Sequence, residues 1–452
     1  MTRTLRTALA AGLCAAVALT TAAAPPAAGS AEQTSAKARE KTNFGFKGTA
    51  VGVKLFVNNV QALTAKDAVA PLRCTRMAGR SVRQASTLST PDNPLVKLSS
   101  STSETISYRD GKRHGVLATN SLGDITLGDL PTGLPQVTIK GLTTTADAFH
   151  DGKGYGHQET IDYEQLTIEL PAETEVPEPL QDLLDAIEDG VDQVIDVLEE
   201  AVTPIEIPGL GSIALGRVKG VSKQHFSESD AAAFEFEINA VPDEVQKLQL
   251  GHSRARIGGP TPGGVFRSTS MPMDISALDG SVRLGGVKPR TIPCEGTRDK
   301  VRTKTLAAAS AVVPSGALIG VNGIDYTFRG TQHRDGTADG FDANHIDEAT
   351  MLAGQLVITD INARTNVKTR SPNGKVRKSF RTSIGSISYF GEELPVPKPG
   401  GTTPLPNGEG YIERRIVKTN EWGGRVVAVR VSLLEDNVVI DFGIAASQIF
   451  KY

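Results

Sequence analysis

The chain has few aromatic residues and little cysteine. Of its 452 residues, 5% are aromatic, one is tryptophan and three are cysteine. So few aromatics argue against a carbohydrate-cleaving groove, because such grooves stack sugar rings on tryptophan or tyrosine. Basic residues are not interleaved with aromatics, which argues against a nucleic-acid partner.

Motifs for cofactor binding and catalysis are also missing. There is no HExxH, no phosphate loop and no dinucleotide fingerprint, so the sequence predicts no cofactor. The stretch GHSRA (Gly251–Ala255) approaches a nucleophile elbow around Ser253 but lacks the final glycine and a following helix. We therefore assign no catalytic residue. Paired carboxylates for glycoside hydrolysis need no local spacing, so a secreted hydrolase remains an alternative.

Long apolar runs are absent after the N-terminus. Arg3 and Arg6 precede the apolar stretch Leu9–Thr20, and small residues continue to Ala31. This pattern predicts a signal peptide over residues 1–31. We expect the mature chain to have no transmembrane segment and to be secreted, with possible association to the cell envelope left open.

The most informative pattern is an internal repeat. Val137–Pro177 and Val357–Pro397 each contain two alternating runs around a glycine-containing tip, which predicts a long β-hairpin in two copies. The same offset of 220 positions relates Phe46 to Phe266, and it extends over about 130 residues. The sequence thus predicts two duplicated β units.

The two cysteines outside the signal peptide occupy equivalent positions in the repeats. Cys74 and Cys294 are 220 positions apart. Equivalent residues of two halves packed about a pseudo-two-fold axis meet only near that axis. In an exported protein this predicts a disulfide between the halves; two separate buried thiols are the alternative.

One segment of the first unit has helical periodicity. Between Glu178 and Val202, apolar residues fall on one stripe and acidic residues cover the other face, without lysine or arginine. Pro179 suits the first turn, and Gly190 is expected to weaken or bend the helix. The simplest interpretation is one amphipathic helix laid over an open end of the β unit.

The second hairpin is strongly basic. From residue 264 onward there are 24 basic and 19 acidic residues, whereas the preceding part has 24 basic and 32 acidic residues. The hairpin itself carries no acid and has seven cations, Arg364, Lys368, Arg370, Lys375, Arg377, Lys378 and Arg381. It is predicted to face the acidic helix or hairpin within the chain, or to meet a partner that is an anionic envelope polymer or a surface protein.

Two stretches are candidate metal sites. The segment Arg329–Glu348 is interpreted as a glycine-rich loop, and four of its carboxylates are candidate calcium ligands, namely Asp335, Asp339, Asp342 and Asp347. The match to an EF-hand fails at Ile346, so a solvated hairpin loop is the alternative. His150 and His157, with Asp151 and Glu159 nearby, could similarly converge on a metal at the first hairpin tip.

The chain resembles one family of exported proteins. The signal peptide, the strands rich in Gly, Ala, Val and Thr, the single cysteine per half and the strand VNGIDYTF (Val321–Phe328) resemble the actinobacterial choice-of-anchor P family. The resemblance implies cell-envelope or extracellular placement. It supplies no activity and no functional residues.

Together these patterns predict an all-β protein. We expect two tandem repeats of antiparallel β-sandwich or barrel type with a pseudo-two-fold relation and one amphipathic helix inserted in the first. The predicted boundaries are a disordered leader at 32–43, a first repeat at 44–258 with its insertion at 178–202, and a second repeat at 264–450. The expected function is non-enzymatic binding or a structural role. The alternatives are the hydrolase and a carrier of an apolar ligand beneath the helix.

Overall fold

The computed structural model describes residues 39–57, 60–62, 68–86, 95–201, 203–239, 246–277, 282–286, 289–312, 318–372, 374–433 and 438–452. The predicted signal peptide and residues 32–38 of the predicted leader lie outside these ranges. The leader prediction is wrong at its end, because the first strand begins at Glu40 rather than after residue 43.

The first half of the chain contains seventeen of the described strands and both described α-helices. In order these are β1 Glu40–Val57, β2 Val60–Ala62, β3 Ala70–Ala78, β4 Arg80–Ser86, β5 Val96–Leu98, β6 Ser101–Asp110, β7 Arg113–Leu122, β8 Ile125–Gly128, β9 Gln136–Lys140, β10 Thr143–His150, β11 Tyr155–Asp162, β12 Gln165–Glu169, α1 Glu178–Asp189, α2 Val191–Glu200, β13 Ile205–Ile207, β14 Gly211–Leu215, β15 Val218–Lys223, β16 Phe226–Ile238 and β17 Gln246–Gly258.

The second half contains thirteen described strands. These are β18 Val265–Ala277, β19 Val282–Gly286, β20 Arg302–Val312, β21 Leu318–Gln332, β22 Ala338–Met351, β23 Leu356–Thr369, β24 Val376–Ser383, β25 Ile387–Tyr389, β26 Glu392–Leu394, β27 Thr402–Pro404, β28 Gly410–Asn420, β29 Gly423–Leu433 and β30 Val438–Phe450. The predicted all-β class is confirmed.

The described strands pair antiparallel in five sheets. Sheet I has the order β13-β14-β16-β17-β1-β2, with β15 on β16 and β3 on β1; sheet II is β11-β10-β7-β6-β4, and sheet III is β12-β9-β8-β5. Sheet IV is β27-β28-β29-β30-β18-β19, and sheet V is β20-β21-β22-β23-β25-β26 with β24 on β23. Sheets I and IV contain corresponding strands of the two halves, and these strands occur in the same order across the two sheets. This agreement is what a duplication requires, and the duplication itself stays a prediction.

In each half the sheets pack face to face around an apolar core. Sheet I packs on sheet II through β1, β16 and β17, and sheet IV packs on sheet V through β29 and β30. One large core lies between sheets IV and V and includes Ile346, Ile358, Val429 and Phe442. Alternating burial along β22 and β23 shows why these segments form half-buried strands.

The single offset of 220 positions does not hold in the hairpins. Thr144 on β10 and Ala363 on β23 both point into their sandwiches, and they are 219 positions apart. An offset of 220 would match Ala363 with Thr143, which faces the other side of the sheet. Because side chains alternate along a strand, a slip of one residue exchanges the two faces. Both predicted hairpins form, but the first is divided between sheet II (β10 and β11) and sheet III (β9 and β12). Their common register is wrong by one residue.

The predicted single helix is two helices. Gly190 separates α1 from α2 and has φ of 124° and ψ of −175°, a conformation that only glycine adopts without strain. Leu180 and Leu183 of α1, together with Val194 and Leu198 of α2, are buried against sheets I and III. The apolar stripe therefore packs as predicted, although the chain breaks midway. Among the described helices, none is long and apolar enough to cross a membrane.

A disulfide joins the two halves. Cys74 on β3 and Cys294, which follows β19, are bonded and buried, with Cα atoms 5.5 Å apart. Beside it, the Arg267 Nε donates to the Cys74 carbonyl at 2.6 Å. The Thr75 hydroxyl donates to the Tyr452 carbonyl at 3.2 Å. The predicted disulfide is confirmed, and hydrogen bonds between the halves surround it.

Candidate binding face

The exposed face of the β23–β24 hairpin carries two pairs of cations. Arg364 lies directly opposite Arg381, and Lys368 lies directly opposite Arg377. All four side chains are exposed, because the alternate residues of β23 point into the core. We call Arg364, Lys368, Arg377 and Arg381 the cationic face. The two pairs are four residues apart, about 13 Å along the strand.

This arrangement is unfavourable for folding. Like charges directly opposite on neighbouring strands destabilise a sheet, by about 0.2–1 kcal/mol per pair. Within the described part of the chain, none of the four cations forms an ion pair with a carboxylate. Asn366 and Ser379 separate the two pairs and bond to each other, with Nδ2 donating to Oγ at 3.2 Å. The charges therefore remain available to an external anion.

Other sheets of the same chain pair opposite charges. On sheet I, Arg256 lies opposite Glu228 and the two form an ion pair at 2.7 Å. On sheet IV, Arg430 lies opposite Asp441, with Nε 2.7 Å from Oδ1. Like charges are also opposed elsewhere, at Lys47 with Arg256 and at Lys418 with Arg425. In both of those pairs the arginine also forms an ion pair with an acid, which none of the four hairpin cations does within the described residues.

Stacking orients one of the four cations. The Arg364 guanidinium lies 3.9 Å from the centroid of the Phe341 ring, and its Nε donates to Asn366 Oδ1 at 3.1 Å. Burial, followed by the nearby charges of Arg381 and Arg329, lowers the pKa of Arg364. Among the described residues, no hydrogen bond occupies its two terminal nitrogens, so they can bind an anion, which would offset the repulsion from the neighbouring guanidiniums.

The predicted calcium loop is mostly strand, and it does not assemble its ligands. Only residues 333–337 form a turn between β21 and β22. Asp335 in this turn accepts hydrogen bonds from the Thr337 backbone nitrogen and hydroxyl, at 2.9 and 2.7 Å. Asp339 bonds to Arg329 and His333, at 2.5 and 2.7 Å.

The other two candidate ligands lie further along β22 in different environments. Asp342 is fully buried between sheets IV and V, whereas Asp347 is exposed and bonds to His345. Because side chains alternate along a strand, these carboxylates cannot surround one ion. In the described residues, no group of three or more His, Cys, Asp or Glu is placed to hold a metal.

The first hairpin tip also lacks a metal arrangement. His150 packs against Phe44 and Tyr155, with ring centroids 5.0 and 4.7 Å away. His157 instead bonds to Glu159 at 3.0 Å. The two histidines therefore have separate partners and do not converge.

Ser253 is unsuited to act as a nucleophile. Its side chain is fully buried on β17, and its hydroxyl donates to the Thr144 carbonyl at 3.0 Å. The adjacent His252 points to the other face of the strand, where it bonds to Asp230 at 2.7 Å. A base on the opposite face cannot activate this hydroxyl.

The acidic helices do not pair with the basic hairpin. Among the described residues, no ion pair links 178–200 with 364–381. The helices pack on sheets I and III, whereas the hairpin belongs to sheet V. In the first hairpin, Asp147 pairs with Arg113 and Glu159 pairs with His157. Among the described residues, neither the acidic helices nor the first hairpin forms an ion pair with the basic hairpin, so the predicted pairing within the chain is wrong.

The basic hairpin is visible in the sequence, but the opposition of its cations is not. The spacing of Arg364 to Lys368 and of Arg377 to Arg381, four residues in each case, was the available signal. It places each pair of residues on one face of a strand. Which residues are opposed depends on the register, which the tip between residues 369 and 376 determines.

Comparison with known proteins gives no further guide to function. The chain matches no protein-family model and no curated protein.

Proposed function

We propose that this protein is a secreted or envelope-associated binding protein that attaches to an anionic envelope polymer through the cationic face. The observation that carries the proposal is the pair of like-charged cross-strand contacts, Arg364 with Arg381 and Lys368 with Arg377. They cost folding energy and have no carboxylate partner in the described chain. A polymer with repeated negative groups would neutralise both pairs at once.

Secretion is supported by two features. The N-terminal segment up to Ala31 has the organisation of a signal peptide. The bond between Cys74 and Cys294 is of the kind that persists in oxidising compartments outside the cytosol. The resemblance to the choice-of-anchor P family is part of the same proposal.

A non-enzymatic role agrees better than catalysis or transport with the environments of Ser253 and of the helices α1 and α2. Ser253 is buried and separated from His252 by the strand. The apolar faces of α1 and α2 are filled by packing against the β-sheets, so their burial is already explained without a bound apolar ligand.

The test compares two double variants of the mature protein in binding to inorganic polyphosphate and to polygalacturonate. R377A/R381A should lose at least tenfold in affinity for at least one polymer, corresponding to about 1.4 kcal/mol. The control is K219A/K223A, which removes two exposed lysines with the same four-residue spacing from β15. Binding should weaken with rising salt, because exposed charges are screened. The proposal is refuted if the wild-type protein binds neither polymer, or if both variants bind like the wild type.

A further inference from the structure

A polar cleft adjoins the cationic face. It has a volume of about 640 Å³ and lies on the outer side of β21 to β24, where Asp325, His345, Asn362 and Ser383 form a row across the four strands. Arg364 and Arg381 form one wall of the cleft. An anion on the two arginines would therefore extend into a polar recess.

Hydrogen bonds hold the floor of this cleft in place. The Asn362 side-chain oxygen, Oδ1, accepts a hydrogen bond from His345 Nδ1 at 2.9 Å. Its side-chain nitrogen, Nδ2, donates to Asp360 Oδ1 at 2.8 Å. His345 Nε2 contacts Asp347 Oδ1 at 2.8 Å. Asp325 Oδ1 accepts from the Thr305 hydroxyl at 2.7 Å. The contacts around Asn362 and His345 form one network and the Thr305–Asp325 bond is separate, and together they fix donors and acceptors before a ligand arrives.

The two sides of the cleft require different chemistry from one ligand. Arg364 and Arg381 are donors only, and guanidinium groups bind carboxylate or phosphate. Asp325 is an acceptor when ionised and would repel a uniformly anionic chain such as polyphosphate. It would instead accept hydrogen bonds from hydroxyl groups. A ligand that satisfies both sides carries an acidic group and hydroxyls on the same unit.

We propose that the cleft binds one acidic sugar unit of an anionic glycan. The acidic group would lie on Arg364 and Arg381, and the sugar hydroxyls would bond to Asp325, Asn362 and Ser383. This inference rests on the proposed function and narrows the polymer to a glycan. Recognition uses charge and hydroxyl contacts, which accords with the scarcity of aromatic residues in the chain.

The test measures binding of polygalacturonate, a carboxylated glycan, and of inorganic polyphosphate. Asp325→Asn and Asn362→Ala should each weaken polygalacturonate binding about tenfold, as expected for loss of one hydrogen bond to a charged or fixed polar group. Asp325→Asn should leave polyphosphate binding unchanged or strengthen it, because it removes a negative charge. Arg381→Ala should weaken the binding of both polymers. Thermal unfolding of each variant shows whether the fold is intact, and Asp325→Asn retains the side-chain shape if Asn362→Ala does not fold.

The outcomes separate this inference from the function on which it rests. If the wild type prefers polyphosphate, or if both cleft variants bind polygalacturonate like the wild type, the sugar site is refuted while the cationic face stands. If Arg381→Ala binds both polymers like the wild type, or the wild type binds neither, the proposed function fails as well.

Discussion

Reversing two charges on the cationic face should stabilise the fold while abolishing binding. The variant R377E/R381E places a glutamate opposite Lys368 and another opposite Arg364. Both repulsive cross-strand contacts become attractive. If Arg377 and Arg381 stabilised the fold, reversing their charges would lower the free energy of unfolding. The variant therefore tests whether these cations serve a ligand rather than the fold.

The magnitude follows from the geometry of the strand pair. Charges on directly opposed residues lie about 6 Å apart, where the Coulomb energy in water is about 0.7 kcal/mol. Measured cross-strand charge pairs contribute about 0.2–1 kcal/mol each. Reversal at both pairs should raise the free energy of unfolding by about 1 kcal/mol at low salt. The gain should shrink near 1 M salt, where the screening length falls to about 3 Å.

Urea denaturation at low and high salt measures this difference. The matched control is K219E/K223E on β15, where Lys219 lies opposite Asp230. That variant creates a like-charged contact and should lower the free energy of unfolding. A decrease for R377E/R381E at low salt would refute the reasoning, since it would show that Arg377 and Arg381 have stabilising partners.

Two further predictions concern the covalent link and the helix break. Removing the disulfide in C74S/C294S should lower the free energy of unfolding by up to about 5 kcal/mol, because the bond closes a loop with a separation of 220 residues; urea denaturation against the oxidised wild type measures it, and an unchanged midpoint would contradict the chain-entropy argument. Gly190→Ala should cost about 1–3 kcal/mol, since φ of 124° with extended ψ suits glycine alone. Thermal unfolding tests this, with Ala201→Gly at an ordinary φ of −64° as the control, and a G190A protein as stable as the wild type would show that α1 and α2 can rearrange.

Much of the fold could be predicted because its signals are local. Alternation identified the paired hairpins, and the apolar stripe identified the buried face of the helical segment. Cys74 and Cys294 could be paired because they are the two cysteines after the predicted signal peptide. Each of these inferences needs only spacing along the chain and a known physical preference.

The sequence predictions failed where the structure depends on contacts between strands. A uniform repeat offset could not predict which residues face the core, because one residue more or less in a turn exchanges the buried and exposed faces of the next strand. The break at Gly190 depends on a backbone conformation that composition does not reveal. The opposed cations of the cationic face were missed for the same reason. The basic residues are visible in the sequence, but which of them lie opposite each other depends on the register of β23 and β24.

Asp342 shows the same limit most clearly, and it leads to a test by pH. The sequence predicted a loop in which Asp342 is either a calcium ligand or lies in solvent. Burial between the sheets instead raises the pKa of its carboxyl well above the usual range, against the opposing effect of the Ser268 and Ser270 hydroxyls. The folded protein therefore holds a proton that the unfolded chain releases near pH 4.

Stability should accordingly fall as pH rises from about 4, by at most about 1.4 kcal/mol per pH unit, until the folded-state pKa is passed. Asp342→Asn keeps the shape of the neutral acid and removes the titration. Its free energy of unfolding should depend less on pH in this window and exceed that of the wild type at neutral pH. Asp347→Asn, at a carboxyl whose side chain is 68% exposed, should retain the wild-type slope. If Asp342→Asn has the same slope as the wild type, the buried carboxyl is not neutral in the folded protein, and a bound cation at this position would have to be sought.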